Sequence, residues 1–490
     1  MASIPAPDQD RHCEDIRIDI EDLSIDPAPH TPRRPAKGDR AGLVIFSGGS
    51  AANNLVDVFE HVRQQNNFVL SYVIPISDNG GSSSEIIRVF GGPGIGDVRS
   101  RLVRLIPDDS PEKTAIKGLF NHRLGRGSRE AREEWNTILE GTHELWLGIS
   151  SPKKELVRSL LNHFNLEVIK RTRPTSRFDF SGASIGNVFL TGARLFTGSF
   201  EAAIYLLSSV CAVPDYISVL PALNTNFANH IAAGLADGTI VIGQNDISHP
   251  SAPSNAVPLP ASAVWTEHAD AIEDANPPGS HPALRRPAIA ISKEDEEELP
   301  ERIQRVWYIN PYGQEIRLPA NPRAVEALAS AKSVIYSIGS LFTSIVPSLI
   351  LSGVGEQIAD PSIRTKVLIL NGTLDRETGP SKEPYTALDI IGAVAGACAG
   401  SRGLEPPSES SYSTYVTHLI YMDGPRSPFV DKNQMNKLGI EALRVYGAKS
   451  EDGGGGSGRY DPKALMQALE AIIGRVDRRF DRSRRNTLDA

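Results

Sequence analysis

Four apolar residues, Leu43-Val44-Ile45-Phe46, precede the turn Ser47-Gly48-Gly49-Ser50, after which Leu55, Val58, Phe59 and Val62 recur at i, i+3, i+4 and i+7. The apolar run suits a buried strand, and the later spacing places its apolar side chains along one side of a helix. Val69 to Ile76 forms a second apolar run, so the segment has the strand, helix, strand order of a βαβ unit in a parallel sheet. The strand-then-turn order returns where Val334-Ile335-Tyr336 runs into Ser337-Ile338-Gly339-Ser340-Leu341-Phe342-Thr343-Ser344 and an apolar helix with Pro347. It recurs at Val367 to Leu370 before Asn371-Gly372-Thr373, and Val416 to Met422 supplies a further strand. The predicted fold class is α/β with a mainly parallel sheet.

Other segments are assigned around this frame. From about 110 to 173, the spacing of Leu139, Leu145, Leu156, Leu160 and Leu161 predicts a helical insertion over the sheet. Its ordinary role is core closure, and its place after the second loop also suits a lid. The turn Ser181 to Asn187 opens a helix with Val188, Leu190, Leu195 and Phe196, and Ser184 is its predicted N-cap. Leu235 to Gly243 reads as an edge hairpin turned at Asp237-Gly238. Residues 248–303 are rich in Pro and Ala, then acidic at Glu294 to Glu298, and read as a linker-like surface insertion.

Residues 1–40 read as a disordered tail, within which Ile16, Ile18 and Ile20 alternate like a short strand. The α/β body therefore comprises 41–247 and 304–480, interrupted by 248–303. After the Gly453 to Gly458 stretch, Leu465, Leu469 and Ile472 mark a terminal helix, and 481–490 form a basic tail.

A chain of 490 residues with 40% hydrophobic content has ample material for a large core. Its formal net charge of -8 provides no general basic field, so nucleic acid is not an expected partner and an anionic ligand needs a local positive pocket. Three well-separated cysteines, Cys13, Cys211 and Cys398, fit a reducing compartment better than a disulfide framework. No run approaches the roughly 18 apolar residues of a membrane helix, and the N-terminus lacks a signal-peptide core. The expectation is a cytoplasmic protein without a membrane partner, and its many apolar helices are compatible with a homodimer.

The chemistry concentrates in Ser77-Asp78-Asn79-Gly80-Gly81-Ser82-Ser83-Ser84 and in Gly91-Gly92-Pro93-Gly94-Ile95-Gly96-Asp97-Val98-Arg99. Both follow the second strand, and the carboxyl ends of strands are where open α/β sheets bind ligands. Glycines admit an anion close to backbone N–H groups, and hydroxyls and helix N-termini add donors, so phosphate is the candidate ligand. A flexible Gly/Ser surface loop is the alternative. Neither G-x-G-x-x-G nor a Walker A sequence is present, which argues against a standard dinucleotide or P-loop site.

In order along the chain, Ser47-Gly48-Gly49-Ser50, Ser77 to Ser83, Gly96-Asp97-Val98-Arg99, Ser184-Ile185-Gly186-Asn187, Ser337 to Ser344 and Tyr385-Thr386-Ala387 resemble the CofD/YvcK family. Arg459-Tyr460-Asp461-Pro462 is similar to its C-terminal segment. The resemblance implies a Rossmann-like three-layer α/β fold and a nucleoside diphosphate or nucleotide-sugar ligand. Its CofD branch transfers a phospholactyl group from a nucleoside diphosphate carrier to a deazaflavin alcohol with Mg²⁺. Its YvcK branch is associated with UDP-sugar binding and control of central carbon metabolism.

Carried over by motif, the nucleotide- or phosphate-binding candidates are Gly48, Gly49 and Ser50, then Asn79, Gly80, Gly81, Ser82 and Ser83. Arg99, Ser184, Gly186 and Asn187 follow, with Gly339, Ser340, Thr343, Ser344 and Arg459. Asp78 and Asp97 are the candidate catalytic and Mg²⁺-binding carboxylates, and Asp97 is equally placed to cap a helix. Ala51, Asn79, Ala183 and Ile390 depart from the family pattern, the last two standing where histidines are frequent. Binding survives such losses more readily than catalysis, which favours a UDP-sugar sensor over a Mg²⁺-dependent phospholactate-type transferase. A scaffold that binds no ligand is a third reading.

Overall fold

The computed structural model describes residues 41–77, 80, 82–172, 177–249, 275, 280–285, 298–448 and 458–485. The expectations for the N-terminal tail, Cys13, Asp78, Asn79, Gly81, most of the 248–303 insertion and the last five residues lie outside them. Among the described residues eleven strands occur in chain order: β1 (Gly42–Phe46), β2 (Val69–Ile74), β3 (Ile217–Pro221), β4 (His230–Leu235), β5 (Ile240–Ile242), β6 (Ile303–Ile309), β7 (Glu315–Ile316), β8 (Ala331–Tyr336), β9 (Thr365–Ile369), β10 (His418–Tyr421) and β11 (Glu441–Arg444).

Seven of them form one sheet in the order β11-β10-β9-β8-β1-β2-β3, and each neighbouring pair is parallel. From β1 the chain builds outward through β2 to β3, then returns to the other flank of β1 as β8 and proceeds to β11. The winding direction therefore reverses between β1 and β8, where a doubly wound sheet opens a crevice at its carboxyl edge. Leu43, Val44, Ile45 and Phe46 are all 1% exposed or less. Successive side chains point to opposite faces, so both faces of this central strand are covered, as the uninterrupted apolar run requires.

A second, antiparallel sheet has the order β5-β4-β6-β7. It contains the expected hairpin, with β5 at its edge and the Thr239 N–H donating to Asp237 Oδ1 at 2.9 Å across the turn. The insertion after the second loop is helical at Pro111–Asn121, Ser128–Glu140 and Ser151–Arg171. The last of these packs on helix Ile185–Thr197. Its buried stripe is Val157, Leu160, Leu161, Phe164 and Val168, so Leu156 falls one position outside the stripe and is 43% exposed. Phe196 is likewise exposed, against the side of His163.

The contact between those two helices depends on Gly192, where a Cβ would lie 2.3 Å from the Leu160 carbonyl oxygen. Gly192→Ala is therefore expected to force the helices apart at a cost of about 2–3 kcal/mol. Thermal unfolding should show a midpoint several degrees lower, whereas an unchanged midpoint would contradict this packing.

Other differences have similarly local causes. Strands β3 and β11 were not anticipated, because Ile217–Pro221 contains a proline and Glu441–Arg444 has charged ends at the sheet's edge. The linker-like reading of 248–303 fails at its described part: Leu284 is buried against Ala232 and Ile309, and the His281 N–H donates to the Pro311 carbonyl at 2.8 Å. The terminal helix Pro462–Arg485 buries Leu465, Leu469 and Ile472 and packs on helix Val56–Asn66. There His61 Nε2 lies 2.7 Å from Glu470 Oε1. Cys211 and Cys398 are buried free thiols.

Candidate functional site

Pairing of β1 with β2 and β8 brings the ends of these strands together. The Ser47 N–H donates to the Val73 carbonyl at 3.2 Å and the Ser337 N–H to the Phe46 carbonyl at 2.9 Å. The loops that follow therefore leave the sheet side by side at its reversal point. A Cβ on Gly48 would lie 2.4 Å from Ser344 Oγ, and one on Gly49 would lie 2.1 Å from Asp97 Oδ1. Only glycine admits so close an approach of the β1 loop to the β8 loop and to the first turn of helix Gly96–Arg104. Ser50 opens the short helix Ser50–Asn53. Asn371 after β9 ties the β8 loop by a reciprocal pair of bonds with Gly339, 3.0 Å to its N–H and 2.9 Å to its carbonyl.

Thr343 is committed to the protein interior. Its N–H donates to Glu377 Oε2 at 3.0 Å, its hydroxyl donates to Glu377 Oε1 at 2.5 Å, and the Phe342 N–H donates to the same carboxylate at 2.7 Å. Glu377 thus occupies the donors that the sequence suggested for a ligand phosphate. Ser340 and Ser344 remain at the crevice, with the Ser344 N–H donating to the Ser340 carbonyl at 2.9 Å.

On the other side, Arg99 projects from helix Gly96–Arg104 toward the start of helix Ile185–Thr197. Its Nε donates to Asn187 Oδ1 at 3.2 Å and its Nη1 to Asn121 Oδ1 at 3.3 Å. Gly186 packs against its aliphatic stem. Burial, and then the neighbouring positive Arg123, lower its pKa to about 10, opposed by Asp97, so it stays charged at neutral pH. Ser184 occupies the N-cap position, yet its side chain accepts no capping bond. Its buried Oγ has no partner among the described residues, and the N–H of the next residue, Ile185, donates to the His122 carbonyl at 3.1 Å. The sequence-based capping role for Ser184 is corrected accordingly. Asp97 is not the cap of its own helix, since Ile95 holds that position and Asp97 lies in the first turn.

In the second loop, Ser77 Oγ donates to Gln244 Oε1 at 2.9 Å. The buried Ser83 follows Gly80, donating its N–H to the Gly80 carbonyl at 3.3 Å, and Ser82 begins helix Ser82–Phe90. Arg459 is exposed on a segment whose next residue, Tyr460, donates its hydroxyl to the Leu370 carbonyl at 2.7 Å. That segment therefore crosses the carboxyl end of β9. None of the sequence-derived candidates lines the cavity of about 670 Å³ between β6 and helix Ala387–Ser401, where Arg302 stacks on Tyr385.

Sequence reasoning missed Arg101, Asn371 and Glu377. Arg101 carried a readable signal, since it interrupts the apolar stripe Val98, Leu102 and Leu105 of its helix. Glu377 carried none, because its role depends on a fold-back of 34 to 35 residues onto the β8 loop.

The family profile described as 2-phospho-L-lactate transferase CofD matches residues 43–442. The chain belongs to the CofD family. It is 38% identical over 403 residues to an uncharacterized protein of Saccharomyces cerevisiae, covering 78% of this chain and 90% of that one. It is 22% identical over 409 residues to the gluconeogenesis factor of Bacillus subtilis, covering 83% of this chain and 91% of that one. A crystal structure from Bacillus halodurans, of a protein described as a member of the UPF0052 family, superposes with a TM-score of 0.54. The two share 21% identity over 88% of this chain and 99% of that one, and the likeness supports the Rossmann-like α/β fold of this CofD-family chain. Among its described residues no helix is long and apolar enough to cross a membrane.

Proposed function

We propose that this CofD-family protein binds the diphosphate of a nucleotide sugar in the crevice between the β1 and β8 loops and acts as a ligand-responsive regulator of carbon metabolism. One observation carries the reading. At the sheet's reversal point the glycine loops of β1 and β8 converge, the buried Arg101 contacts the first of them, and its helix turns the buried Arg99 toward helix Ile185–Thr197; neither arginine forms a salt bridge among the described residues. Asp97 acts on both electrostatically, but one carboxylate without a salt bridge does not balance two buried cations, which favours a ligand that carries negative charge. The regulatory part follows the name of the bacterial gluconeogenesis factors, which this chain resembles over most of their length.

Magnesium suits the same place. The Asp97 carboxylate lies against the backbone of Gly49 and offers the hard oxygen that this ion prefers. Asp97 would hold the ion, with Asp78 as the second candidate, and the ion would neutralise diphosphate charge. The chain's own groups then orient the ligand: Arg99 with Asn187 on one flank, and the β1 and β8 loops on the other. Ala183 and Ile390 are both buried and apolar, so neither position supplies a proton-transfer group, and this favours binding over transfer.

The test is a thermal-shift series with UDP, GDP, UDP-sugars and NAD, with and without Mg²⁺, on the wild type and on Asp97→Asn. A ligand bound only by the folded state raises the melting temperature. The expected result is a shift with a UDP-sugar that persists without Mg²⁺, the nucleotide being recovered unchanged. Consumption of the nucleotide in the presence of an acceptor alcohol would replace this reading with a transferase, and absence of any shift would refute both.

A further inference from the structure

We infer that Arg101 is a positioning residue of the anion site, its buried guanidinium holding the Ser47-Gly48-Gly49 loop from beneath and providing the fixed positive charge for a phosphate seated above it. This inference rests on the nucleoside-diphosphate reading.

Arg101 is 0% exposed. Its Nη2 donates to Ser47 Oγ at 3.2 Å and to the Gly48 carbonyl at 3.4 Å, and its Nη1 donates to the Ala52 carbonyl at 3.3 Å. Its guanidinium carbon lies 4.5 Å from the centre of the Tyr72 ring. Its hydrogen-bonding and stacking partners are all neutral, Asp97 acts on it only electrostatically, and Nε has no partner among the described residues. A structural arginine at this depth is ordinarily matched by a carboxylate. A leucine would continue the stripe of Val98, Leu102 and Leu105 on the same helix.

Its contacts select one element, the ligand-facing loop. In a trans peptide the carbonyl and the following N–H point in opposite directions. With the Gly48 carbonyl drawn inward to Arg101, the Gly49 N–H is turned away from it, which is the orientation an anion above the loop requires. Asp97, one turn earlier on the same face of the helix, lies against Gly49. One face of a single helix thus presents both a cation and a carboxylate to this loop. The guanidinium's own attraction is greater for a multiply charged anion such as a diphosphate than for a carboxylate.

Binding of UDP and of inorganic pyrophosphate is measured by calorimetry on the full chain for wild type, Arg101→Lys and Ser47→Ala, with ligand-free melting curves alongside. Arg101→Lys is expected to weaken both ligands at least tenfold and Ser47→Ala about threefold, while the ligand-free melting temperature of Ser47→Ala stays near wild type. Lowered melting temperatures with unchanged affinity of the folded fraction would reduce Arg101 to a structural role and overturn the inference. If Arg101→Lys does not fold, Ser47→Ala decides, and wild-type affinity in that variant overturns the inference. Wild type binding neither UDP nor pyrophosphate overturns it together with the reading on which it rests.

Discussion

Glu377→Ala is expected to destabilise the fold by more than about 3 kcal/mol, because it leaves the Phe342 and Thr343 N–H groups and the Thr343 hydroxyl buried without an acceptor. Each such group costs about 1–3 kcal/mol, and the three belong to the loop that forms one wall of the crevice. Chemical denaturation should show the loss directly, and a change below about 1 kcal/mol would mean that water replaces the carboxylate. Burial, and then the adjacent Asp375 carboxylate, push the Glu377 carboxyl up to about 8 against these three donors. A carboxyl whose pKa is raised by folding holds its proton more tightly when folded than unfolded. Its contribution is therefore fully present below the unfolded value of about 4.3 and is lost as pH rises through about 8. Between pH 5 and 8 the melting temperature of the wild type should fall more steeply than that of Glu377→Gln, and parallel curves would refute the assignment.

Arg99→Ala is the substitution with the largest expected effect on ligand binding. Arg99 combines burial with two neutral amide acceptors, Asn187 and Asn121, so a ligand anion would be its ionic partner. Charge-assisted bonds of this kind are about twice as strong as neutral ones. Removal should weaken a nucleoside diphosphate about 100-fold, equivalent to about 2.7 kcal/mol. Arg99→Lys should recover only part of this, since an ammonium cannot reproduce a planar two-bond contact. Titration calorimetry at fixed ionic strength measures both variants, and affinity within threefold of wild type for Arg99→Ala would remove Arg99 from the site.

Much of the frame was legible in the order of residues. Runs such as Leu43 to Phe46 and Val334 to Tyr336 identify themselves because a strand buried on both faces has no polar position to accommodate. The glycine and serine turns after them are local signals as well, since they follow directly from strand ends. Leu156 and Phe196 show the limit of this reading. Their spacing fits a helix, but which neighbouring stripe faces the core depends on the partner helix. Thr343 shows it at the site: its hydroxyl and loop position suit a ligand, and only Glu377, far along the chain, commits it elsewhere.

By itself the sequence determined the α/β class, the strand-and-turn order and the family, because each is written in residues that are neighbours or share one period. The tertiary structure decided that the β1 and β8 loops meet, that Arg101 lies beneath the first loop, and that Glu377 rather than a ligand occupies the donors at Thr343. Those outcomes depend on contacts between residues tens to hundreds of positions apart. Such contacts are set by which sheet flank β8 joins and by how the chain folds back after β9, and no local pattern encodes either choice.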